Sequence, residues 1–311
     1  MKKNIIVTGG AGFIGSNLCR KLVGQGHKVA AIDNLSSGRR EFIEDMMSND
    51  NFSLYIMDLM KQDIDDLLEG IEEIWHFAAN PDIRIGNEDT QTHFNQNIVV
   101  TYRLLEAMKN CKNCKLIFAS TSTVYGEATT PTKESFGPLK PISLYGASKA
   151  ACEGLISAYS HLFGFRSWIF RLANVIGIPC SHGVIRDFID KLEANPDELE
   201  ILGNGRQSKS YIHVSDCIGA MILASHKASS KVNVFNVGTE DQVSVREIAK
   251  TVSNAMNLNP RFKYTGNDRG WKGDVPKMLL SIEKLKSTGW EPRLKSREAV
   301  QRTIDMLKLN D

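Results

Sequence analysis

The chain has 311 residues, 42% hydrophobic and 24% charged, which excludes disordered and fibrous classes and leaves room for a large core. Formal net charge is +2 with no basic run longer than Arg39-Arg40, so neither nucleic acid nor an anionic membrane surface is an expected partner. No apolar stretch reaches the ~18 residues of a membrane span, the first apolar run stops at Val7, and the six cysteines read as reduced thiols, so a cytoplasmic location is expected.

The apolar runs IIVTG, KVAAID, FSLYIMD, EIWHFAA, KLIFAST, RSWIFRLAN and NVFNVG read as buried strands. Between and after them, helical periodicity predicts helices at 13–25, 62–69, 95–110, 144–163, 183–194, 215–226, 244–257 and 296–308. This alternation predicts an α/β protein: a doubly wound parallel-sheet Rossmann domain with a smaller α/β substrate-binding domain. The expected division is 1–173, with a return at about 212–238, and 174–311 for the remainder. Polar and glycine-rich stretches at 126–143, 177–183, 203–210 and 264–276 are expected to border the site. Cys111 and Cys114 form a lone CxxC without the second pair a zinc site requires, and no metal is expected.

The segment VTGGAGFIGSNL places four glycines between a strand and a helix, the context in which backbone N–H groups cradle a pyrophosphate. Both Gly9/Gly12/Gly15 and Gly10/Gly12/Gly15 fit the spacing. Asp33, ending the second strand, suits the adenosine ribose hydroxyls and repels a 2′-phosphate, favouring NAD over NADP; Arg39 and Arg40 read as surface charge. Asp58-Leu59, Phe77-Ala78-Ala79 and Thr121-Ser122-Thr123 follow later strands, whose ends converge on the same crevice. Tyr145 and Lys149 lie one turn apart on a helix, where an ammonium favours the phenolate of a general acid/base. His76 and His213 read as core or strand-end histidines.

TGGAGFIG, DNLSSG, HFAANPDIR, STSTVYGE, YGASKAACE, RLANVIG and YIHVSD, in this order, resemble the NAD-dependent epimerase/dehydratase family of extended short-chain dehydrogenases/reductases. NPDIR, HGVIRDFI and DRGWKGDV are most similar to UDP-glucose/UDP-galactose 4-epimerases of archaeal type. The resemblance implies reversible C4 epimerisation of a UDP-hexose through a 4-keto intermediate, with tightly held NAD. Tyr145 would act as base, Lys149 would hold the nicotinamide ribose, and Thr121 would bond the reacting oxygen.

It further implies cofactor contacts from Gly9, Gly12, Phe13, Ile14, Gly15, Asp33, Asn34, Ser36, Gly38, Asp58, Leu59, Phe77, Ala78, Ala79, Asn97 and Ser120, leaving Gly10 as the spare glycine. On the substrate side it implies Arg84, Asn174, His182, Gly183, Val184, Leu202, Lys209 and Arg269. Lys209 and Trp271 occupy positions where relatives carry arginines, so a less directed grip on the diphosphate is expected. Related 4,6-dehydratases and UDP-glucuronate decarboxylases carry a carboxylate in the segment where this chain has Thr121-Ser122-Thr123. Epimerases of UDP-glucuronate or UDP-N-acetylhexosamine are the enzymatic alternatives. A dinucleotide-sensing protein without chemistry is the alternative of another class, although such proteins usually lose the Tyr or the Lys. A homodimer is expected.

Overall fold

The computed structural model describes residues 2–111, 114–180 and 182–308. Its strands, in chain order, are β1 Asn4–Thr8, β2 Lys28–Asp33, β3 Phe52–Ile56, β4 Glu73–His76, β5 Lys115–Thr121, β6 Arg166–Leu172, β7 Asn174–Ile176, β8 Glu198–Ile201, β9 Ser208–Lys209, β10 Tyr211–His213, β11 Val232–Val237, β12 Val243–Ser244, β13 Arg261–Tyr264 and β14 Lys277–Met278. The helices are α1 Phe13–Gly24, α2 Thr90–His93, α3 Val100–Ala107, α4 Leu144–Phe163, α5 Val184–Ala194, α6 Val214–Lys227, α7 Val245–Ala255, α8 Glu283–Lys286 and α9 Ser296–Lys308.

Seven strands form one all-parallel sheet in the order β11-β6-β5-β4-β1-β2-β3. Strand order reverses between β1 and β4, which opens a crevice at their carboxyl ends. Along β1 successive side chains take opposite faces, so Ile5 and Val7 pack with α1 and α6 while Ile6 packs with α3 and α4. Helices therefore cover both faces, as continuous apolar strands require.

A third apolar cluster, from Ile185 to Leu307, joins α5, α7 and α9 to β8 and β10. Ile282, Leu285 and Trp290 instead return to the cluster of α1 and α6, a late crossing that strand and helix periodicity did not reveal.

Three local expectations change. The segment 62–69 holds only a 3-10 turn at Asp65–Leu67, because Asp63, Asp65 and Asp66 are poor helix formers and Gly70 turns at φ +71. The helix expected from 95 starts earlier, at Thr90, where Asp89 caps Gln91 and Thr92, and it passes through a π-helical turn at Phe94–Val99. Finally, β3 is an edge strand rather than a buried one, and Tyr55 and Ile56 face solvent.

Candidate active site

At the β1–α1 turn each glycine has its own reason. Gly9 sits at φ +69, and a Cβ there would lie 2.7 Å from the Ala78 nitrogen. A Cβ on Gly15 would lie 2.0 Å from the Gly9 carbonyl oxygen, so helix and turn can approach only without one. Gly10 is no spare: its Cβ would meet that of Ala31 at 2.6 Å. At Gly12 the nearest atom to an added Cβ is the Gly9 carbonyl oxygen, at 3.2 Å. Gly12 caps α1 without a side-chain bond, and the first turn holds no acid. The N–H groups of Phe13 and Ile14 therefore face outward at the positive end of the helix, fit for a phosphate.

Asp33 ends β2 beside this turn. Its Oδ2 accepts from the Ala11 N–H and its Oδ1 from the Leu35 N–H, each at 2.9 Å. Burial raises its pKa and those two bonds oppose the rise. A Cβ on Gly38 would lie 2.7 Å from the Asp33 carboxylate, so Gly38 leaves that flank open. Asn34 and Ser36 are exposed and bonded to each other, while Arg39 stacks over Phe42 instead of facing the carboxylate.

Asp58 caps the Met60 N–H after β3, Leu59 is buried, and Phe77, Ala78 and Ala79 leave β4 half-buried along the crevice. Two expected cofactor residues turn inward. Asn97, in the π-helical turn, accepts from the Asn80 N–H at 2.8 Å and donates to Ser148 at 2.9 Å. Ser120 donates to Glu153 at 2.5 Å. The buried His76 bonds Thr8 and Thr101, and burial draws its pKa down to about 3, so it is a neutral core histidine. His213 caps α6.

Thr121 ends β5, and its hydroxyl accepts from the Thr123 N–H and hydroxyl at 3.2 and 3.1 Å. Ser143 caps α4 and starts the helix so that Tyr145 stands in its first turn. Lys149, one turn on, donates to the Ala119 carbonyl at 2.8 Å and lies 4.6 Å over the Phe118 ring. Burial pushes the Tyr145 phenol up to about 12, and the neighbouring Thr121 hydroxyl holds it back. Burial draws Lys149 down to about 8, opposed by Cys152 and Glu153. The counterweight to burial at Tyr145 is thus Thr121, where sequence spacing pointed to Lys149.

On the far side, Leu202, Lys209 and Arg269 gather around Asp274. Lys209 pairs with Asp274 at 2.5 Å and lies 5.1 Å over the Trp271 ring. Arg269 donates to the Asp274 carbonyl at 2.6 Å and to Glu127 at 2.5 Å. Asp274 also accepts from the Gly270 N–H, with Leu202 packed close to Gly270. Asn174 begins β7 and its side chain bonds Tyr211. Gly183, at φ +106, caps α5 without a side-chain bond, and Val184 opens the helix beside exposed His182. Arg84 is exposed at the surface, 3.7 Å from the Asp82 carboxylate.

Sequence reasoning missed Glu127, Glu153, Arg171 and Asp274; Glu153 had a signal, lying four residues beyond Lys149. Among the described residues no group of three or more His, Cys, Asp or Glu could hold a metal, and the six cysteines are free. Residues 112–113 of the CxxC lie outside the described residues.

A glycine-cradled helix terminus, an acid after β2 and a Tyr-x-x-x-Lys helix on a doubly wound sheet define an NAD-binding short-chain dehydrogenase/reductase. The model of the NAD dependent epimerase/dehydratase family matches residues 5–238, and the chain belongs to that family. NAD is accordingly its cofactor, and the open flanks at Gly12 and Gly38 fit it. The chain is 31% identical over 314 residues to a UDP-glucose 4-epimerase of Mycolicibacterium smegmatis, covering 97% of this chain and 98% of that one. A crystal structure of a UDP-galactose 4-epimerase is 42% identical, with TM-score 0.87 and 99% of each chain covered. A UDP-glucuronic acid 4-epimerase from Bacillus cereus, solved with UDP-glucuronic acid and NAD, is 27% identical with TM-score 0.91, covering 99% of this chain and 100% of that one. Among the described residues no helix is long and apolar enough to cross a membrane.

Proposed function

We propose that this enzyme is a UDP-hexose 4-epimerase interconverting UDP-glucose and UDP-galactose through a 4-keto intermediate. The observation that carries the reading is the segment facing Tyr145: Thr121, Ser122 and Thr123 offer hydroxyls and no carboxylate. Removing water or CO2 requires further acid–base groups or a substrate carboxylate to act upon. The nearby carboxylates Glu127 and Glu153 are engaged with Arg269 and Arg171.

Bound NAD supplies a reversible hydride acceptor. Tyr145 takes the proton of the C4 hydroxyl, Thr121 bonds the same oxygen, and Lys149 holds the nicotinamide ribose. Phe13, Ile14 and Gly12 bind the pyrophosphate and Asp33 the adenosine ribose. Leu202 lies against the base, and Lys209, Arg269, Asn174 and the 182–184 turn serve the diphosphate and sugar. We also propose the division expected from sequence, with 1–173 and the return at 212–238 holding NAD and most of 174–311 holding substrate.

Exposed Phe94, Tyr102 and Leu162 on the α3 and α4 side support a homodimer; light scattering at the mass of a single chain would remove that proposal. Incubation with UDP-glucose tests the main reading, with UDP-galactose of unchanged mass expected. Conversion confined to UDP-glucuronate or UDP-N-acetylglucosamine in a parallel panel would reassign the substrate.

A further inference from the structure

Helix α4 sets three side chains a turn apart against the end of β5. Tyr145 meets Thr121, Lys149 donates to the Ala119 carbonyl at 2.8 Å, and Glu153 accepts from Ser120 Oγ at 2.5 Å. Three consecutive strand residues thus each hold one residue of the helix. Glu153 reaches one strand farther: Arg171 on β6 donates to it through Nε at 3.0 Å and Nη2 at 2.6 Å, and both side chains are only 8% exposed. Arg171 also donates to the Tyr125 hydroxyl at 2.9 Å, which in turn donates to Asn236 at 2.7 Å.

The proposed reaction uses none of this network, and a buried ion pair is weak evidence of a stabilising role in itself. The ionisable groups around Lys149 are Tyr145, Cys152 and Glu153 on its own helix, His76 on β4 and His93 in α2. Burial lowers the pKa of both histidines and raises that of Cys152, so these three stay neutral near neutral pH. Glu153 is the carboxylate of this set, with the Arg171 guanidinium bonded on its far side.

We propose that Glu153 is a positioning residue for the Tyr145–Lys149 pair, holding α4 in register on β5 and keeping a fixed negative charge one turn behind the Lys149 ammonium. The inference rests on the epimerase reading of that pair. Burial strips charge from Lys149, and Glu153 opposes the loss.

Glu153→Gln keeps the length and an acceptor for Ser120 while removing the charge. Lys149 then loses its proton at lower pH, and the alkaline limb of the kcat profile moves down with KM changing less than kcat. For a shift of about one unit, the ratio of kcat at about pH 6.5 to kcat at about pH 9 rises about sevenfold. A limb that stays in place, or an equal loss at every pH, overturns the proposal. Because Arg171 left unpaired can unfold the single variant, Glu153→Gln with Arg171→Met is measured beside it, with a smaller shift in the same direction expected.

A second readout needs no substrate. Raising the pH stabilises the fold as buried Lys149 gives up its proton, and subtracting the urea stability of each protein's Lys149→Met counterpart isolates this gain. The gain begins at lower pH in the Glu153→Gln background, and an unchanged onset contradicts the proposal. If the unmodified protein turns over no UDP-sugar, the epimerase reading fails while this comparison still decides the role of Glu153.

Discussion

Tyr145 and Lys149 draw their properties from burial, with Thr121 and Glu153 as counterweights. Replacing Tyr145 with Phe removes the hydroxyl and leaves the ring beside His93, at 5.7 Å between centroids. Turnover should fall by ~10²–10⁴ with bound NAD retained, as measured by steady-state kinetics and by absorbance of the denatured supernatant. Lys149 holds its proton to about 8 in the fold against 10.5 ordinarily. Between these values the unfolded chain binds more protons, so this group's contribution to stability rises with pH while the ammonium needed for turnover disappears. Activity should therefore decline through about pH 8 without loss of stability from this group, as paired rate and urea-unfolding profiles would show. In the sequence this pair was legible from its spacing together with the strand-end motifs that precede it. The inward turns of Asn97 and Ser120 were not legible, because their partners Ser148 and Glu153 are distant in the chain.

At the scale of an element, the β1–α1 turn separates packing from binding. Gly10→Ala forces a Cβ against Ala31 and should cost ~1–3 kcal/mol by overpacking, seen as a lowered Tm of the apoprotein. Gly12→Ala meets only one atom at 3.2 Å and should leave that Tm nearly unchanged while reducing NAD retention. Calorimetry and NAD analysis of the two variants check the contrast. Glycine spacing could show that a phosphate turn was present, yet it could not rank the four glycines, since the deciding neighbours Ala31 and Ala78 belong to other strands. The seven sheet strands were legible because short apolar runs bounded by turn residues are distinctive even at the half-exposed edge strand β3, whereas 62–69 failed where aspartates overrode an apparent period.

Across the whole molecule, the sheet and the 174–311 elements bring Thr121, Tyr145 and Lys149 to one side and Lys209, Arg269 and Asp274 to the other. The second group was only partly readable, because the ion pairs of Lys209 and Arg269 span 65 and 142 residues. In the proposed reaction C4 is oxidised and reduced again within one site, and its hydrogen never exchanges with water. The most direct test follows UDP-glucose carrying deuterium at C4 by NMR and mass spectrometry. UDP-galactose that retains the deuterium at C4, with unchanged mass, is the predicted result; loss of the label to water, or release of water or CO2 from the sugar, would contradict it.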